Sequence, residues 1–321
     1  MNPQSIIKHK AINVLQSCAI LSGMIALTAL LGWFVAGPQG IKWAIGLSIV
    51  IFLFSPRISP YLVLRLYRAV RLPPHQMPVI YDALEQLAHR ANLPATPNLY
   101  YIPSSMPNAF TMGNRREAAI ALTDGLLKSL NLRELIGVLA HEVSHIRNND
   151  MWIMNLSDIV SRVTSIFSMT GQFLVVMNLP LLLFSGYQIP WLPILTLIFA
   201  PSLMLFLQLA LSRSREFDAD LNAAMLTGDP EGLASALVKI EQSKGGFFSR
   251  IFFPGHREPN PSVLRTHPDT EKRVKRLLSF EEKKPRYTPI DALMDEDIFY
   301  HPESNIVVRR NPRWRFGGIW Y

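Results

Sequence analysis

The chain has 321 residues, of which 49% are hydrophobic and 17% are charged, and its formal net charge is +8 at pH 7. This composition is typical of a membrane protein that also has a sizeable soluble part. The basic residues are spread beside apolar stretches and no recognition motif accompanies them, so we expect anionic lipid headgroups as partners and no nucleic acid. A single cysteine, Cys18, excludes a disulfide within the chain and a zinc site built from cysteines.

Two apolar stretches form the amino-terminal region. Residues 11–36 are long enough for a helix that crosses a hydrocarbon core of about 30 Å, and residues 41–54 follow a turn at residues 37–40. We predict a hairpin of two transmembrane helices within a unit of residues 1–56. Residues 41–54 are short for a crossing, so a re-entrant or interfacial segment is the alternative there. A cleaved signal peptide is the alternative for residues 11–36, but that stretch is too long for one.

The next unit, residues 57–162, is predicted to be the first part of a soluble domain. Residues 61–71 favour a basic helix on the membrane surface, and residues 77–92 favour an amphipathic helix. Two strand-like runs follow at residues 99–102 and 118–123. We therefore expect a mixed arrangement of helices and strands in this unit.

A short segment between these two runs is a candidate for binding an extended peptide. It consists of Asn108, Ala109, Phe110 and Thr111. An exposed sheet edge binds a peptide through main-chain hydrogen bonds, which give affinity without demanding one sequence. We predict that these four residues form such an edge, and an ordinary strand or loop is the alternative.

The clearest chemical motif is a pair of histidines, His141 and His145, with Glu142 between them. Two histidines four residues apart lie on one face of a helix, where both imidazoles reach one metal ion. The glutamate is then placed to accept a proton from an attacking water, a pattern typical of zinc peptidases. Upstream, Asn131 and Glu134 have the spacing of a capping box that starts the helix. The alternative is a polar helix face without any chemistry.

After the histidine helix come two further apolar stretches. Residues 163–184 and 189–211 carry no charged residue, and each is long enough to cross a membrane. An uncharged link at residues 185–188 joins them, so we predict a second transmembrane hairpin over residues 163–211. Lysine and arginine near apolar spans stay on the cytoplasmic side, and here they flank the open ends of both hairpins. We therefore expect both termini and the histidine helix to face the cytoplasm.

Zinc in a hydrolase takes three protein ligands, so a third is needed besides the two histidines. Glu216 and Asp220 share one face of a predicted helix, which makes Glu216 the candidate ligand and Asp220 the candidate acceptor for the outward N–H of a ligand histidine. A salt-bridged surface is the alternative for this pair. Asp218 points away from them and is expected to be solvated. Asp150 would lie about 140° round the helix from His145, so we expect a structural role for it.

Taken together, these motifs resemble those of the HtpX-type membrane metallopeptidases, to which the CAAX prenyl endopeptidases are related. The resemblance covers about residues 5–280 and depends on residues 107–110, the histidine helix, the paired apolar stretches, residues 216–220 and residues 266–268. It implies a gluzincin-like fold, one zinc ion per chain and endoproteolytic quality control of misfolded membrane proteins. The location it implies is the bacterial inner membrane, in a stress response.

Carried over residue by residue, the resemblance implies a general base at Glu142, a supporting carboxylate at Asp220 and zinc ligands at His141, His145 and Glu216. It also implies that His267, in a His-Pro segment, lies near the site and stabilises the tetrahedral oxyanion. An ordinary turn is the alternative for His267.

The overall expectation is an α-helical membrane protein with an α+β gluzincin-like metallopeptidase domain and four transmembrane helices in two hairpins. Residues 212–280 complete the cytoplasmic peptidase part, and residues 281–321 form an aromatic and basic tail. We expect a membrane-embedded zinc endopeptidase. A prenyl-protein endopeptidase is one alternative, although it should have more membrane spans. A non-catalytic zinc-bearing scaffold is the other, although it would normally close the fourth zinc position with protein.

Overall fold

The computed structural model describes residues 3–54, 64–180, 190–243 and 270–279. In chain order the elements are α1 (Pro3–Phe54), β1 (Val70–Leu72), a 3-10 turn (Pro74–Gln76), α2 (Pro78–Arg90), β2 (Asn98–Ile102), β3 (Ala109–Gly113), β4 (Ala118–Thr123), α3 (Asp124–Ser129), α4 (Leu132–Asn148), α5 (Asp150–Met177), α6 (Trp191–Thr227), α7 (Pro230–Ser243) and α8 (Thr270–Leu278). The predicted link at residues 185–188 and the tail at residues 281–321 lie outside the described residues.

Three of these helices are long and apolar enough to cross a membrane: the stretch Ala11–Leu53 of α1, together with α5 and α6. They pack against one another through an apolar cluster that includes Met24, Leu31, Phe167 and Met204. Many of their other large apolar side chains are exposed, which suits contact with lipid tails rather than water. The predicted apolar stretches therefore fall on three helices, of which the first is interrupted.

Helix α1 is interrupted at the start of the predicted turn. Ala36 and Gly37 leave helical geometry, and Gly37 has a left-handed φ of 57°. A little to either side of this break, the backbones of Gly32 and Gly40 come into contact, because a Cβ atom on Gly40 would lie only 1.8 Å from the carbonyl oxygen of Gly32. Residues eight apart in a continuous helix are about 12 Å apart. The chain therefore folds back on itself at this point.

The soluble part contains a four-stranded sheet with strand order β1-β2-β4-β3. β2 and β4 are parallel, whereas β1 and β3 run antiparallel to their neighbours. β3 lies at one edge, with Thr111 opposite Ile120 of β4. The prediction of a surface helix over residues 61–71 is wrong at Val70 and Arg71, because pairing with β2 satisfies the backbone of the strand Val70–Leu72. Residues 61–63 of this prediction lie outside the described residues.

The predicted capping box starts α4. The side chain of Asn131 accepts a hydrogen bond from Glu134 N at 2.9 Å, and the side chain of Glu134 accepts one from Asn131 N at 2.9 Å. Beyond this cap, α4 is buried as far as Ile146 in a core that it shares with α2, the sheet and α7. Asn149 then adopts a left-handed φ of 54°, so α4 ends and α5 begins as a separate helix.

The close packing of α4 against α7 predicts a cost for any side chain at Gly137. A Cβ atom there would lie 2.8 Å from Leu233 N and 2.9 Å from Leu233 Cα, which are backbone atoms and cannot move alone. We expect Gly137→Ala to destabilise the folded protein by about 1–3 kcal/mol, as overpacking in a core does. The measurement is the midpoint of thermal unfolding in detergent.

Gly23→Ala is the matched control for this variant. A Cβ atom added at Gly23 meets no atom within 4 Å, and alanine is the better helix former, so stability should not fall. An equal loss of stability in both variants would contradict the packing argument.

Candidate metal centre and catalytic cleft

Three buried side chains from two helices bring their ligand atoms together. His141 and His145 lie one turn apart on α4, Glu216 lies on α6, and their ligand atoms are all within 4.8 Å of one another. The two histidine Nε2 atoms are 3.1 Å apart. Glu216 Oε2 lies 3.5 Å from His141 Nε2, and Glu216 Oε1 lies 3.7 Å from His145 Nε2. The three residues predicted as ligands are therefore adjacent in space.

These distances and this donor set fit a metal ion. Two imidazoles and one carboxylate are a ligand set that zinc takes in hydrolases, with ligand distances of about 2.0–2.2 Å. The corners of a tetrahedron of that size are separated by about 3.3–3.6 Å. The observed separations of 3.1, 3.5 and 3.7 Å lie close to this value. The cluster could thus hold a metal ion with little rearrangement and leave a fourth position free of these three ligands.

A carboxylate lies behind each histidine. Asp220 Oδ1 lies 3.0 Å from His141 Nδ1, on the side of the ring that faces away from Glu216. His145 Nδ1 and Asp150 Oδ2 are 2.7 Å apart, within hydrogen-bond distance. An acceptor at Nδ1 fixes the imidazole tautomer and leaves the lone pair of Nε2 for a metal ion.

The expected purely structural role of Asp150 needs correction, because this carboxylate contacts a candidate ligand. The angle of 140° assumed that the helix continues from His145 to Asp150. Instead, Asn149 takes a left-handed conformation and breaks the helix, so Asp150 opens α5 and its carboxylate returns to His145.

Arg273 is a site residue that sequence reasoning missed. It lies on α8 and is 3% exposed. Its Nε and Nη2 donate to the two carboxylate oxygens of Asp220 at 2.7 and 2.6 Å, and its Nη1 lies 3.2 Å from Glu216 Oε2. Burial lowers the pKa of Arg273, but Asp220, Glu216 and Glu142 more than offset this effect and hold the pKa above its ordinary value. The guanidinium therefore stays charged and neutralises the carboxylates around the candidate metal site.

Glu142 lies in a cleft whose lining includes His141, Arg273, Asn108 and Ala109. The hydroxyl of Thr111, on the edge strand β3, donates a hydrogen bond to Glu142 Oε2 at 2.5 Å. Of the four residues predicted to bind a peptide, two therefore line the cleft and one contacts the glutamate.

The fourth of these residues, Phe110, packs away from the cleft. Its ring meets the ring of Tyr67 edge-on, at a centroid distance of 5.7 Å. Only the backbone of Phe110 therefore lies beside Ala109 and Thr111 on β3, which Asn108 immediately precedes.

The structure tests the prediction for Asp218 but not the prediction for His267. The prediction that Asp218 is solvated is wrong: this residue is 4% exposed and accepts hydrogen bonds from Asn13 and Asn148, because α1 and α4 pack on that side of α6. His267 lies outside the described residues, so its role stays a prediction.

The protonation of His141 links metal binding to pH. Burial lowers the pKa of this imidazole, but its contacts with Asp220 and Glu216 more than offset burial and raise the pKa from 6.5 to about 10. In the metal-free protein His141 is therefore protonated at neutral pH, whereas a metal ligand must be neutral. Binding a metal ion must release this proton.

We expect metal affinity to fall by about tenfold for each unit that the pH drops below the raised pKa of His141, since one proton must leave this residue. The measurement is a titration with zinc against a competing chelator of known protonation, between about pH 6 and about pH 8. A zinc affinity that does not change with pH would contradict the raised pKa.

Comparisons with known proteins assign a family. The sequence matches "Peptidase family M48" over residues 74–281. The Protease HtpX homolog of Burkholderia ambifaria (strain MC40-6) is 32% identical over 285 residues, which cover 83% of this chain and 96% of that protein. The Protease HtpX homolog of Methylibium petroleiphilum is 32% identical over 289 residues, with 83% and 97% covered.

Among solved structures, the crystal structure of S. mikatae Ste24p matches with a TM-score of 0.47 and 22% identity, covering 84% of this chain and 66% of that one. This likeness is too low to carry an argument about the fold or the chemistry. The family assignment depends instead on the match over residues 74–281 and on the curated relatives, and both cover most of the site described above. The chain therefore belongs to peptidase family M48, among the HtpX-type membrane metallopeptidases.

Proposed function

We propose that this chain is a zinc-dependent endopeptidase that cleaves misfolded membrane proteins in quality control. The observation that carries the proposal is the cleft itself, where Glu142 lies beside three buried ligand atoms that fall within 4.8 Å of one another. A scaffold site would need no glutamate at this place. A hydrolase needs one, because a proton must move from water to the leaving group.

His141, His145 and Glu216 would hold one zinc ion. When bound, zinc supplies Lewis acidity, which lowers the pKa of a water and polarises the scissile carbonyl. Asp220 and Asp150 would hold the two imidazoles by their Nδ1 atoms, so that each presents Nε2. The three ligands and the supporting carboxylate Asp220 are those that the resemblance to gluzincin-like peptidases implies, and the role of Asp150 is added to them.

Glu142 would act as the general base and then as a general acid. It accepts a proton from the attacking water and passes this proton to the leaving amine. The hydroxyl of Thr111 holds Glu142 Oε2, so the other carboxylate oxygen is left for the water. His267 remains the proposed stabiliser of the tetrahedral oxyanion, as the resemblance implies.

The edge strand β3 would bind the substrate as an added strand. Within the described residues, β3 pairs with β4 alone, so its outer edge can form main-chain hydrogen bonds with a peptide. Asn108 and Ala109 stand at the end of β3 that lines the cleft. Phe110 and Thr111 would then contribute through their backbone atoms.

The arrangement of the helices in the membrane is a further part of the proposal. The break at Gly37 would divide α1 into two crossings, which with α5 and α6 gives four transmembrane helices in two hairpins. The resemblance implies the bacterial inner membrane. The distribution of basic residues favours both termini and the site on the cytoplasmic face, with anionic lipid headgroups as partners. The boundaries at residues 56, 162, 211 and 280 remain part of this proposal.

The first test is the substitution Glu142→Gln. The amide cannot accept the proton of the attacking water, so we expect cleavage of casein and of a membrane-protein substrate to be lost. Zinc content and thermal stability should stay close to those of the wild type, because Glu142 is not one of the proposed ligands. Both are measured on the same detergent-purified sample.

Glu85→Gln serves as the matched control, because Glu85 is exposed on α2 and its carboxylate lies outside the cleft lining. This variant should cleave as the wild type does. Residual cleavage by Glu142→Gln at the wild-type rate would rule out Glu142 as the base. A wild type that cleaves only a farnesylated CAAX peptide would select the prenyl-protein alternative.

Substitutions at Thr111 provide a second test, which distinguishes whether its hydroxyl orients the base Glu142 or binds the substrate. We expect Thr111→Val to lower kcat by about tenfold or more, because a hydrogen bond to a charged group is worth about 1.5–3 kcal/mol. KM should change little. Thr111→Ser keeps the hydroxyl and should retain most of the activity, so equal losses in the two variants would contradict a specific role for the hydroxyl.

A further inference from the structure

A buried polar network lies where α1, α4, α5 and α6 meet, outside the catalytic cleft. Its members include Arg215, which is 6% exposed, Asp150, which is 1% exposed, and Asn13 of the first apolar helix, which is 6% exposed. Charged groups are costly to bury, and they are retained in protein interiors when they have partners. The network therefore calls for an explanation beyond packing.

One arm of the network leads from the first apolar helix to a candidate metal ligand. Arg215 Nη2 donates to the backbone oxygen of Asn13 at 3.3 Å, and Arg215 Nη1 lies 3.5 Å from Asp150 Oδ1. The other oxygen of Asp150 lies 2.7 Å from His145 Nδ1. The position of the His145 ring is thereby connected through two charged residues to α1.

A second set of contacts in the network links Asn13 to the carboxyl end of α4. Asn13 Nδ2 donates to Asp218 Oδ1 at 3.2 Å, and Asn148 Nδ2 donates to Asp218 Oδ2 at 2.9 Å. Asn148 is the last residue of α4. One residue of α1, Asn13, therefore contacts two residues of α6, Arg215 and Asp218, near the carboxyl end of the histidine helix.

A packing role alone does not account for the arginine. Arg215 Nε has no hydrogen-bond partner within the part of the chain that the structure describes, so its burial is incompletely compensated. Well-packed apolar side chains often replace buried ion pairs without loss of stability. An apolar side chain, however, cannot present a positive charge to Asp150. The charge of Arg215 holds one oxygen of this carboxylate towards Arg215 while the other oxygen contacts His145.

We propose that Arg215 is a positioning residue for the metal site and that Asn13 sets its place, so that metal affinity depends on how the first apolar helix is seated against α6. Arg215 acts through Asp150, which orients the His145 ring. This inference rests on the proposed zinc site, but it does not require that the protein cleave any substrate.

The experiment measures zinc affinity on the full-length protein in detergent, by competition with a chelator. The absorption spectrum of the cobalt-substituted protein reports the ligand geometry, and thermal unfolding of the metal-free protein reports stability. We expect Arg215→Gln to weaken zinc binding by about 10–100-fold and to alter the cobalt spectrum, because the loss of groups that orient a metal ligand has effects of this size. Arg215→Lys should restore part of the affinity. Asn13→Ala keeps the backbone oxygen that Arg215 contacts but removes the side-chain hydrogen bond to Asp218, which helps to seat α1 against α6, so it should give a smaller loss in the same direction.

Thr28→Val is the matched control for Asn13→Ala. Thr28 is also a buried polar residue of α1, and its Oγ1 lies 2.7 Å from Thr164 Oγ1 of α5, but this pair makes no contact with a candidate ligand. Zinc affinity should be unchanged in this variant.

Three outcomes would overturn the inference. The first is wild-type zinc affinity and cobalt spectrum in a folded Arg215→Gln protein. The second is wild-type zinc affinity in Asn13→Ala, which decides the question if Arg215→Gln fails to fold. The third is an equal loss of affinity in Thr28→Val, since general packing of α1 would then be the cause. A wild type that binds zinc but cleaves nothing would instead overturn the proposed function and leave this inference standing.

Discussion

The packing of α4 against α6 is the contact on which the whole site depends. α4 supplies His141 and His145, and α6 supplies Glu216, so the three ligand atoms converge only while the two helices keep their relative position. All three ligand side chains are buried, and the carboxylates that contact the histidine Nδ1 atoms belong to α5 and α6. A shift of either helix would leave buried charges without partners, which costs several kcal/mol for each one. The site is therefore held by electrostatics as well as by apolar packing.

Sequence patterns predict those parts of the site that depend on local geometry. The helical repeat places His141 above His145, and it places Glu216 above Asp220. The capping box at Asn131 follows from spacing alone and is confirmed. That the two helices face each other is tertiary information, which no local pattern contains. It entered through the need of a hydrolytic zinc site for a third protein ligand and through the resemblance to a known family.

The features that the sequence did not predict share a physical cause, namely contacts between distant segments. Asp150 returns to His145 only because one residue between them leaves helical geometry. Arg273 sits on a short and highly charged helix, where an arginine normally faces water. Asp218 does point away from Glu216, as helical geometry requires, but that side of α6 is covered by Asn13 rather than by solvent.

The continuous course of helix α6 also bears on the proposed distance between the site and the bilayer. In the proposed arrangement the crossing ends at Leu211, so Glu216 would lie five residues beyond the edge of the hydrocarbon core, a rise of about 8 Å along the helix axis. An extended chain covers that height with about two or three residues. In this arrangement the cleft would be within reach of a strand that has only just left the lipid.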